Sequence, residues 1–193
     1  MESVHANTMD FATVAMVLTG YLPQMQRDLM ALLAIPSVKG QPEDNAPFGR
    51  DIADALDFCL AIAASLGLDV RNVDGYCGIA DLEGGGSEQL GVLAHVDVVP
   101  ARAEDWQSPP FAPAVRAGKL YARGVMDDKG PLVASLYATA ALADCGIPLE
   151  KTVRLIFGCD EESGMACMRH YLTQFKPPDI GFSPDGSFPV IMG

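Results

Sequence analysis

The chain has 193 residues, with 13 lysines and arginines against 25 aspartates and glutamates and a net charge of −12. About half of the residues (49%) are apolar, which is ample for a hydrophobic core of ordinary size. The acidic balance and the lack of any basic cluster argue against nucleic acids and anionic membranes as partners, because both present phosphate groups that require clustered cations.

The first part of the chain contains two predicted helices followed by three short strands. Residues 10–33 have leucines at helical spacing, with a break or restart expected near Pro23. Residues 51–66 form the clearest amphipathic helix, and Gly67 stands where a helix C-cap is expected. The predicted strands cover residues 68–73, 78–82 and 90–96.

The second part of the chain alternates helices with strands. Residues 152–159 are continuously apolar, which is typical of a strand buried on both faces of a sheet. The other predicted elements are an irregular segment (100–113), an extended segment (120–123), helices (130–145 and 163–175) and short strands (180–182 and 188–192). This alternation predicts an α/β fold layered around a central sheet.

The five cysteines and the N-terminal residues indicate a compartment. The number of cysteines is odd and no two form a CxxC pair, so we expect buried free thiols rather than disulfides. Residues 1–10 lack the basic region of a secretory signal, and the apolar run at residues 11–22 is too short to span a bilayer. These features predict a cytoplasmic location.

Polar residues follow the predicted strands at four places, beginning with HVDVVP at residues 95–100. An open α/β sheet usually binds its ligand at the carboxyl ends of its strands. His95 could ligate a metal ion, and Asp97, two residues on, could fix the imidazole. The alternative is that His95 is a hydrogen-bonded structural residue.

Two further segments contain adjacent acids. RGVMDDKGP at residues 123–131 contains Asp127 and Asp128, and FGCDEESG at residues 157–164 has three consecutive acids. Both segments precede a predicted helix, so capping of that helix is the alternative to a site. Carboxylates crowded this closely become favourable when a dication neutralises them.

The fourth segment is FSPDG at residues 182–186, in which Asp185 alone would be read as a turn residue. Taken together, the four segments supply one imidazole and several carboxylates from the ends of different elements. A two-metal hydrolytic centre requires this combination of ligands.

These four motifs occur in the order and approximate spacing of the zinc aminoacylase and carboxypeptidase superfamily. Within it, the chain most resembles the PepV-type dipeptidases (Xaa-His dipeptidase, carnosinase-like), through the motifs above together with Trp106, residues 109–111 and residues 118–121. The resemblance extends from about Tyr21 to Gly193. It implies a layered α/β/α zinc-exopeptidase-like catalytic domain with a central mixed sheet.

The resemblance implies a role for each motif residue. His95, Asp127, Glu162 and Asp185 would be ligands of two zinc ions, or of manganese or cobalt in their place. In that scheme Asp127 bridges the two ions, His95 and Asp185 complete one of them, and Glu162 serves the other. The peptide bond after Asp127 would be cis.

Two further residues would be catalytic. Asp97 would orient His95, and Glu161 would be the general base that takes a proton from the attacking water and returns it to the leaving amine. The expected function is hydrolysis of dipeptides, with a small peptide as the substrate, without nucleic acid or membrane partners, and with the oligomeric state left open.

The sequence departs from the family pattern in its histidines. The family has a further zinc ligand and a lid-domain histidine downstream, and neither His5 nor His170 matches them. We therefore expect residues 1–193 to be the N-terminal portion of the catalytic domain, incomplete and without a lid domain, with little activity on its own. The alternatives are a non-catalytic remnant or interaction subunit, and a deacylase or carboxypeptidase of the same superfamily.

Overall fold

The computed structural model describes residues 11–186, which begin with two helices, α1 (Phe11–Leu33) and α2 (Arg50–Ser65). Helix α2 buries the apolar face predicted from its periodicity and ends just before Gly67, whose φ of +82° favours a residue without Cβ. Helix α1 continues through Pro23, so the predicted break is wrong. Tyr21 and Met25, on either side of the proline, both pack against the core.

Five strands form the main sheet in the order β1-β2-β6-β3-β7. The β1–β2 and β2–β6 pairs are antiparallel, whereas β6–β3 and β3–β7 are parallel, so the sheet is mixed as predicted. The strands are β1 (Asp69–Val73), β2 (Cys77–Leu82), β3 (Gln89–His95), β6 (Thr152–Gly158) and β7 (Ile180–Phe182).

A separate hairpin and two more helices complete the described residues. Strands β4 (Ala114–Arg116) and β5 (Lys119–Tyr121) pair antiparallel. The extended segment predicted at residues 120–123 is thus only partly a strand, and β4 was not predicted because three residues carry no periodicity. The remaining helices are α3 (Lys129–Asp144) and α4 (Ala166–Gln174).

Helix α4 begins three residues later than the predicted start at residue 163. The residues between β6 and α4 form turns instead, in which the amides of Glu161 and Glu162 donate to the carboxylate of Asp97 and the amide of Met165 donates to the carbonyl oxygen of Asp160. The strand predicted at residues 188–192 lies outside the described residues.

Helices cover both faces of the sheet. On one face, Gly78 of β2 packs against Leu56 and Leu60 of α2, beside Phe157. The contact is so close that a Cβ atom added at Gly78 would lie 2.8 Å from the Leu56 side chain. On the other face, Arg154 donates a hydrogen bond to the hydroxyl of Tyr171 in α4. Phe157 and Arg154 are three positions apart on β6, and residues an odd number of positions apart on a strand point to opposite faces. Helix α2 therefore packs on one face and α4 on the other, which is the predicted α/β/α layering.

All five cysteines are free thiols, as predicted, and four of them are buried. Burial raises the pKa of Cys59 and of Cys77 to about 12, which leaves little reactive thiolate at neutral pH. Within residues 11–186, no helix is both long enough and apolar enough to cross a membrane. The cytoplasmic location stays a prediction.

The parallel strands bring the motif segments to one edge of the sheet. His95, the last residue of β3, pairs with Gly158 at the end of β6, and β7 runs parallel to β3 on its other side. The segments after all three strands therefore start at the same edge.

Candidate metal centre

His95 is buried, and its ring is fixed from one side. The Nδ1 atom lies 2.9 Å from the backbone carbonyl oxygen of Asp97 and 3.5 Å from the Oδ1 atom of the same residue. A carbonyl oxygen can only accept, so Nδ1 carries a proton and donates it. Asp97 thus contacts His95 as predicted, although the closer of the two contacts is made by its backbone.

The other ring nitrogen of His95 faces two of the predicted ligands. Its Nε2 atom is buried and has no hydrogen-bond partner, although Asp127 Oδ1 lies 3.1 Å away and Asp185 Oδ2 lies 3.5 Å away. A buried polar atom without a partner is rare in a folded protein. This nitrogen therefore points toward a place where oxygen ligands already converge.

The acidic groups around His95 favour a positive charge on or beside its imidazole ring. Burial by itself lowers the pKa of His95, but hydrogen bonding to Asp97 and the charges of Asp97 and Asp128 outweigh burial and raise the pKa to about 10. Without a cation, a proton on the imidazole supplies part of the missing charge.

Asp127 and Asp128 are adjacent in sequence but lie in different environments. The peptide bond between them is cis, as the resemblance implies. The Asp127 side chain is half exposed and faces His95, whereas Asp128 is fully buried and accepts a hydrogen bond of 3.0 Å from the backbone N–H of His95. Burial raises the pKa of Asp128 to about 7, with smaller contributions from Asp185 and Asp127.

Helix capping was the alternative to a site for this acid pair. Asp128 occupies the N-cap position of α3, but its side chain makes no capping hydrogen bond there. Its Oδ2 atom reaches across to β3 instead, and its Oδ1 atom has no partner. The role of Asp128 as an acceptor for β3 was not predicted, since no local pattern connects residues 33 positions apart.

Asp97 also holds the loop that carries Glu161 and Glu162. Its two carboxylate oxygens accept hydrogen bonds from the backbone N–H groups of these residues, at 3.2 and 3.1 Å. Burial is the main cause of a raised pKa in both glutamates, and nearby acids add to it: Asp185 for Glu161 and Asp127 for Glu162. Both side chains therefore lie in a region of negative electrostatic potential.

Asp185 reaches the centre from the turn after β7. The Ser183 hydroxyl donates a hydrogen bond of 2.8 Å to the carbonyl oxygen of Leu93 in β3, which ties this turn to the sheet. The same hydroxyl oxygen accepts a bond of 3.3 Å from the Asp185 N–H. The serine thereby places Asp185 over the end of β3.

Two sets of side chains in this centre could each hold a metal ion. His95, Asp127 and Glu162 form one set, and His95, Glu161 and Asp185 form the other; in each set the ligand atoms lie within 4.8 Å of one another. All four predicted metal ligands and the predicted general base are therefore brought together. One imidazole nitrogen with carboxylate oxygens is a donor set that zinc accepts, and the unpartnered Nε2 of His95 fits the same ion.

A cavity of about 250 Å³ adjoins the centre. Its polar wall includes His95, Glu161 and Asp185, and its apolar wall includes Met165 and Met168. The two methionines were not predicted as part of a site, since nothing in their local sequence pattern sets them apart from core residues.

His170 is occupied elsewhere, in agreement with the prediction that it is not a ligand. Its Nε2 atom lies 2.8 Å from Asp74 Oδ2, and its ring stacks on Tyr76 with a centroid distance of 4.0 Å. His5 lies outside the described residues.

The layered fold and the candidate metal centre are accompanied by a match to a peptidase family. The model of the family described as "Peptidase family M20/M25/M40" matches residues 91–190, a little over half of the chain and including all four motifs. The chain belongs to this family, and the predicted superfamily is thereby confirmed.

Proteins named as dipeptidases are similar to most of the chain. The chain is 41% identical over 167 residues to "Putative dipeptidase YtjP" of Bacillus subtilis (strain 168), covering 86% of this chain and 36% of that protein. A similarly named dipeptidase of Staphylococcus aureus (strain USA300) is 41% identical over 175 residues, covering 90% and 37%. The chain therefore spans little more than a third of the length of these relatives.

Solved structures agree with the fold. Human carnosine dipeptidase 1 superposes with a TM-score of 0.72 at 24% identity, over 83% of this chain and 37% of that protein. The dipeptidase Dug1p of Saccharomyces cerevisiae superposes with a TM-score of 0.71 at 22% identity, with the same coverage. The predicted mixed-sheet α/β fold is confirmed, and the chain spans 37% of each of these two structures.

Proposed function

We propose that this chain carries the metal-binding part of a two-metal centre that hydrolyses dipeptides, with zinc as the native metal. The observation that carries the proposal is the buried Nε2 atom of His95, which has no hydrogen-bond partner and lies within 3.5 Å of carboxylate oxygens of Asp127 and Asp185. The family is one of metal-dependent peptidases, and relatives 41% identical to the chain are named dipeptidases.

Each proposed ligand has a place in the geometry. His95, Asp127 and Asp185 would hold one ion, which the distances from His95 Nε2 to the two aspartates support. Glu162 with Asp127 would hold the other, which the grouping of His95, Asp127 and Glu162 supports. When bound, divalent ions polarise a peptide carbonyl and lower the pKa of water. Manganese and cobalt accept similar ligands and are alternatives to zinc.

Glu161 and Asp97 would have the remaining roles in the reaction. Glu161 would take a proton from the attacking water on its carboxylate and return that proton to the leaving amine. Its raised pKa, caused mainly by burial, suits a carboxylate that must hold a proton during the reaction. Asp97 would keep the His95 ring and the Glu161 backbone in place.

The first test is a calorimetric titration of the chain with zinc. We expect two unequal events, because the ion at His95, Asp127 and Asp185 has its protein ligands here, whereas the ion at Glu162 has fewer. Two equal tight events, or no binding, would count against the proposed centre.

The substrate would be a small peptide, and the acidic chain would bind neither nucleic acid nor a membrane.

The second test is hydrolysis, measured on the chain and on the longest open reading frame that contains it. We expect little activity from the chain and dipeptide hydrolysis from the longer product, with Glu161→Gln lowering kcat by ~100-fold or more. Zinc stoichiometry should be unchanged in that variant. N-acylated amino acids and N-blocked peptides serve as comparison substrates, and a preference for either would favour the deacylase or carboxypeptidase alternative.

A further inference from the structure

Asp160, the first of the three consecutive acids, is the one that does not face the candidate metal centre. It is 2% exposed, and its Oδ1 atom lies 2.5 Å from the Nζ atom of Lys39. Its Oδ2 atom accepts a hydrogen bond of 2.9 Å from the N–H of Ala166, the first residue of α4. Its carbonyl oxygen accepts another, of 2.7 Å, from Met165.

These bonds close the loop of residues 160–166 on itself. The side chain and the carbonyl of Asp160, at the start of the loop, both bond to its far end. Between these points, the N–H groups of Glu161 and Glu162 bond to the carboxylate of Asp97. The backbone is thereby fixed at both ends and in the middle, which leaves the two glutamate side chains free to face His95.

Lys39 provides the positive charge that Asp160 needs in this position. A carboxylate buried without a partner is strongly unfavourable, whereas a close ion pair with further hydrogen bonds offsets much of its desolvation. In residues 11–186, Lys39 is the only cationic side chain recorded within ion-pair distance of Asp160.

Lys39 is itself held by a segment that touches the other motifs. The Ser37 hydroxyl donates a hydrogen bond of 2.6 Å to the carbonyl of Val96, and the Val98 N–H donates one of 3.0 Å to the carbonyl of Ser37. The Nζ atom of Lys129 donates a bond of 2.7 Å to the carbonyl of Ile35. Residues 35–39, here called the brace segment, thus contact the segment that follows β3, the first residue of α3 and the segment that follows β6.

We infer that Lys39 is a positioning residue: through Asp160 it sets the loop that carries Glu161 and Glu162, and the brace segment aligns that loop with His95 and Asp127. The inference rests on the proposed function for what the two glutamates hold, but the arrangement of the loop is independent of it. Among residues 11–186, the carboxylate that pairs with Lys39 is that of Asp160, and Lys39 acts on the loop through this pair.

The test compares Lys39→Met with Lys151→Met in the metal-free chain. Lys151 pairs with Glu88 on the surface, so its replacement removes the same charge away from the centre. Amide hydrogen exchange followed by NMR should be ~10-fold faster at residues 161–166 in Lys39→Met and unchanged in Lys151→Met. Amides of β1 and β2 report global stability, and exchange at residues 161–166 is compared with theirs within each variant, because an unpaired Asp160 also lowers the stability of the whole fold. Equal exchange at residues 161–166 in the two variants would overturn the inference.

Zinc titration provides the second readout. Lys39→Met should weaken zinc binding by ~10-fold or more, as loss of a residue that orients metal ligands does, whereas Lys39→Arg should restore it. The double variant Lys39→Met, Asp160→Asn removes both charges and so avoids an unpaired buried carboxylate. It should still show faster exchange at residues 161–166, because the connection to the brace segment is lost; slow exchange there would overturn the inference.

The outcomes separate the two proposals. If the unaltered chain binds no zinc but Lys39→Met speeds exchange in the loop, the proposed metal centre fails and the positioning role stands. If zinc binds and Lys39→Met changes neither the exchange nor the affinity, the metal centre stands and the positioning role fails.

Discussion

The described residues contain two histidines beside carboxylates, and their surroundings differ. His95 is buried at the end of β3, with Nδ1 bonded to the carbonyl of Asp97 and Nε2 left without a partner. His170 lies on α4 beside the exposed Asp74, which accepts bonds from His170 and also from Gln174. The stacked ring of Tyr76 covers one face of His170.

The difference shows what distinguishes a candidate ligand from an ordinary surface histidine. Closeness to a carboxylate does not, since both histidines have it. A buried ring nitrogen without a hydrogen-bond partner does distinguish them, because it has no water molecule to bond with in place of a protein partner. The His170 nitrogen that faces Asp74 already has its partner in the protein.

Replacing each histidine in turn should give the largest difference between the two sites. His95→Ala should abolish the tighter zinc event, which corresponds to a loss of affinity of ~100-fold or more, since a direct ligand matters at least as much as a residue that orients one. His170→Ala should leave zinc affinity within about threefold. Calorimetric titration of both variants measures this. Similar losses in the two variants would contradict the assignment of His95 as the ligand.

The acid partner of each histidine gives a second comparison, with a smaller effect. In Asp97→Asn, an amide NH₂ group would face one of the two backbone N–H groups that Asp97 now accepts, so at least one bond is lost. We expect a lower free energy of unfolding, by about 1–3 kcal/mol, and zinc binding weakened by ~10–100-fold. Chemical denaturation and zinc titration measure the two effects.

Asp74→Asn is the matched control for that variant. Asp74 is exposed, and the hydrogen bonds from His170 and Gln174 lower its pKa. We expect a smaller change in unfolding midpoint than for Asp97→Asn and unchanged zinc affinity, because exposed pairs contribute little to stability. A larger destabilisation by Asp74→Asn than by Asp97→Asn would reverse the order proposed for the two regions.

The sequence was sufficient to predict the mixed sheet, the main helices and the residues that converge on the centre. His95 ends β3, and Asp127, Glu162 and Asp185 lie in segments next to a strand or helix. Parallel strands end at the same edge of the sheet, which brings these segments together. Periodicity also predicted the buried face of α2 correctly.

The interactions that fix the centre could not be predicted in this way. Lys39 and Asp160 are 121 residues apart, and nothing near Lys39 in the sequence indicates a buried partner. Asp160 belongs to the run of three acids for which helix capping was the alternative to a site, and its carboxylate does accept a bond from the first residue of α4. Its ion pair depends on the path of the brace segment, which is set by tertiary contacts rather than by local propensity.

The pH dependence of zinc binding is the finest test of the difference between the histidines. The folded-state pKa of His95 is about 10, against an ordinary value of 6.5. The protonated imidazole therefore stabilises the metal-free fold fully below pH 6.5, and this contribution is lost as the pH rises from 6.5 through 10. A metal ion must displace that proton, so binding at neutral pH should release it.

We therefore expect apparent zinc affinity to rise by ~10-fold per pH unit between pH 7 and 8.5, where most of the metal-free chain still has a protonated His95. Calorimetry in two buffers of different ionisation enthalpy measures the proton released. His170→Ala should keep both the slope and the proton release, since that ring has no part in the centre, whereas any binding that survives in His95→Ala should have a shallower slope. A slope that is flat in the unaltered chain would mean that the nitrogen facing Asp127 carries no proton, and the surrounding acids would then need another source of positive charge.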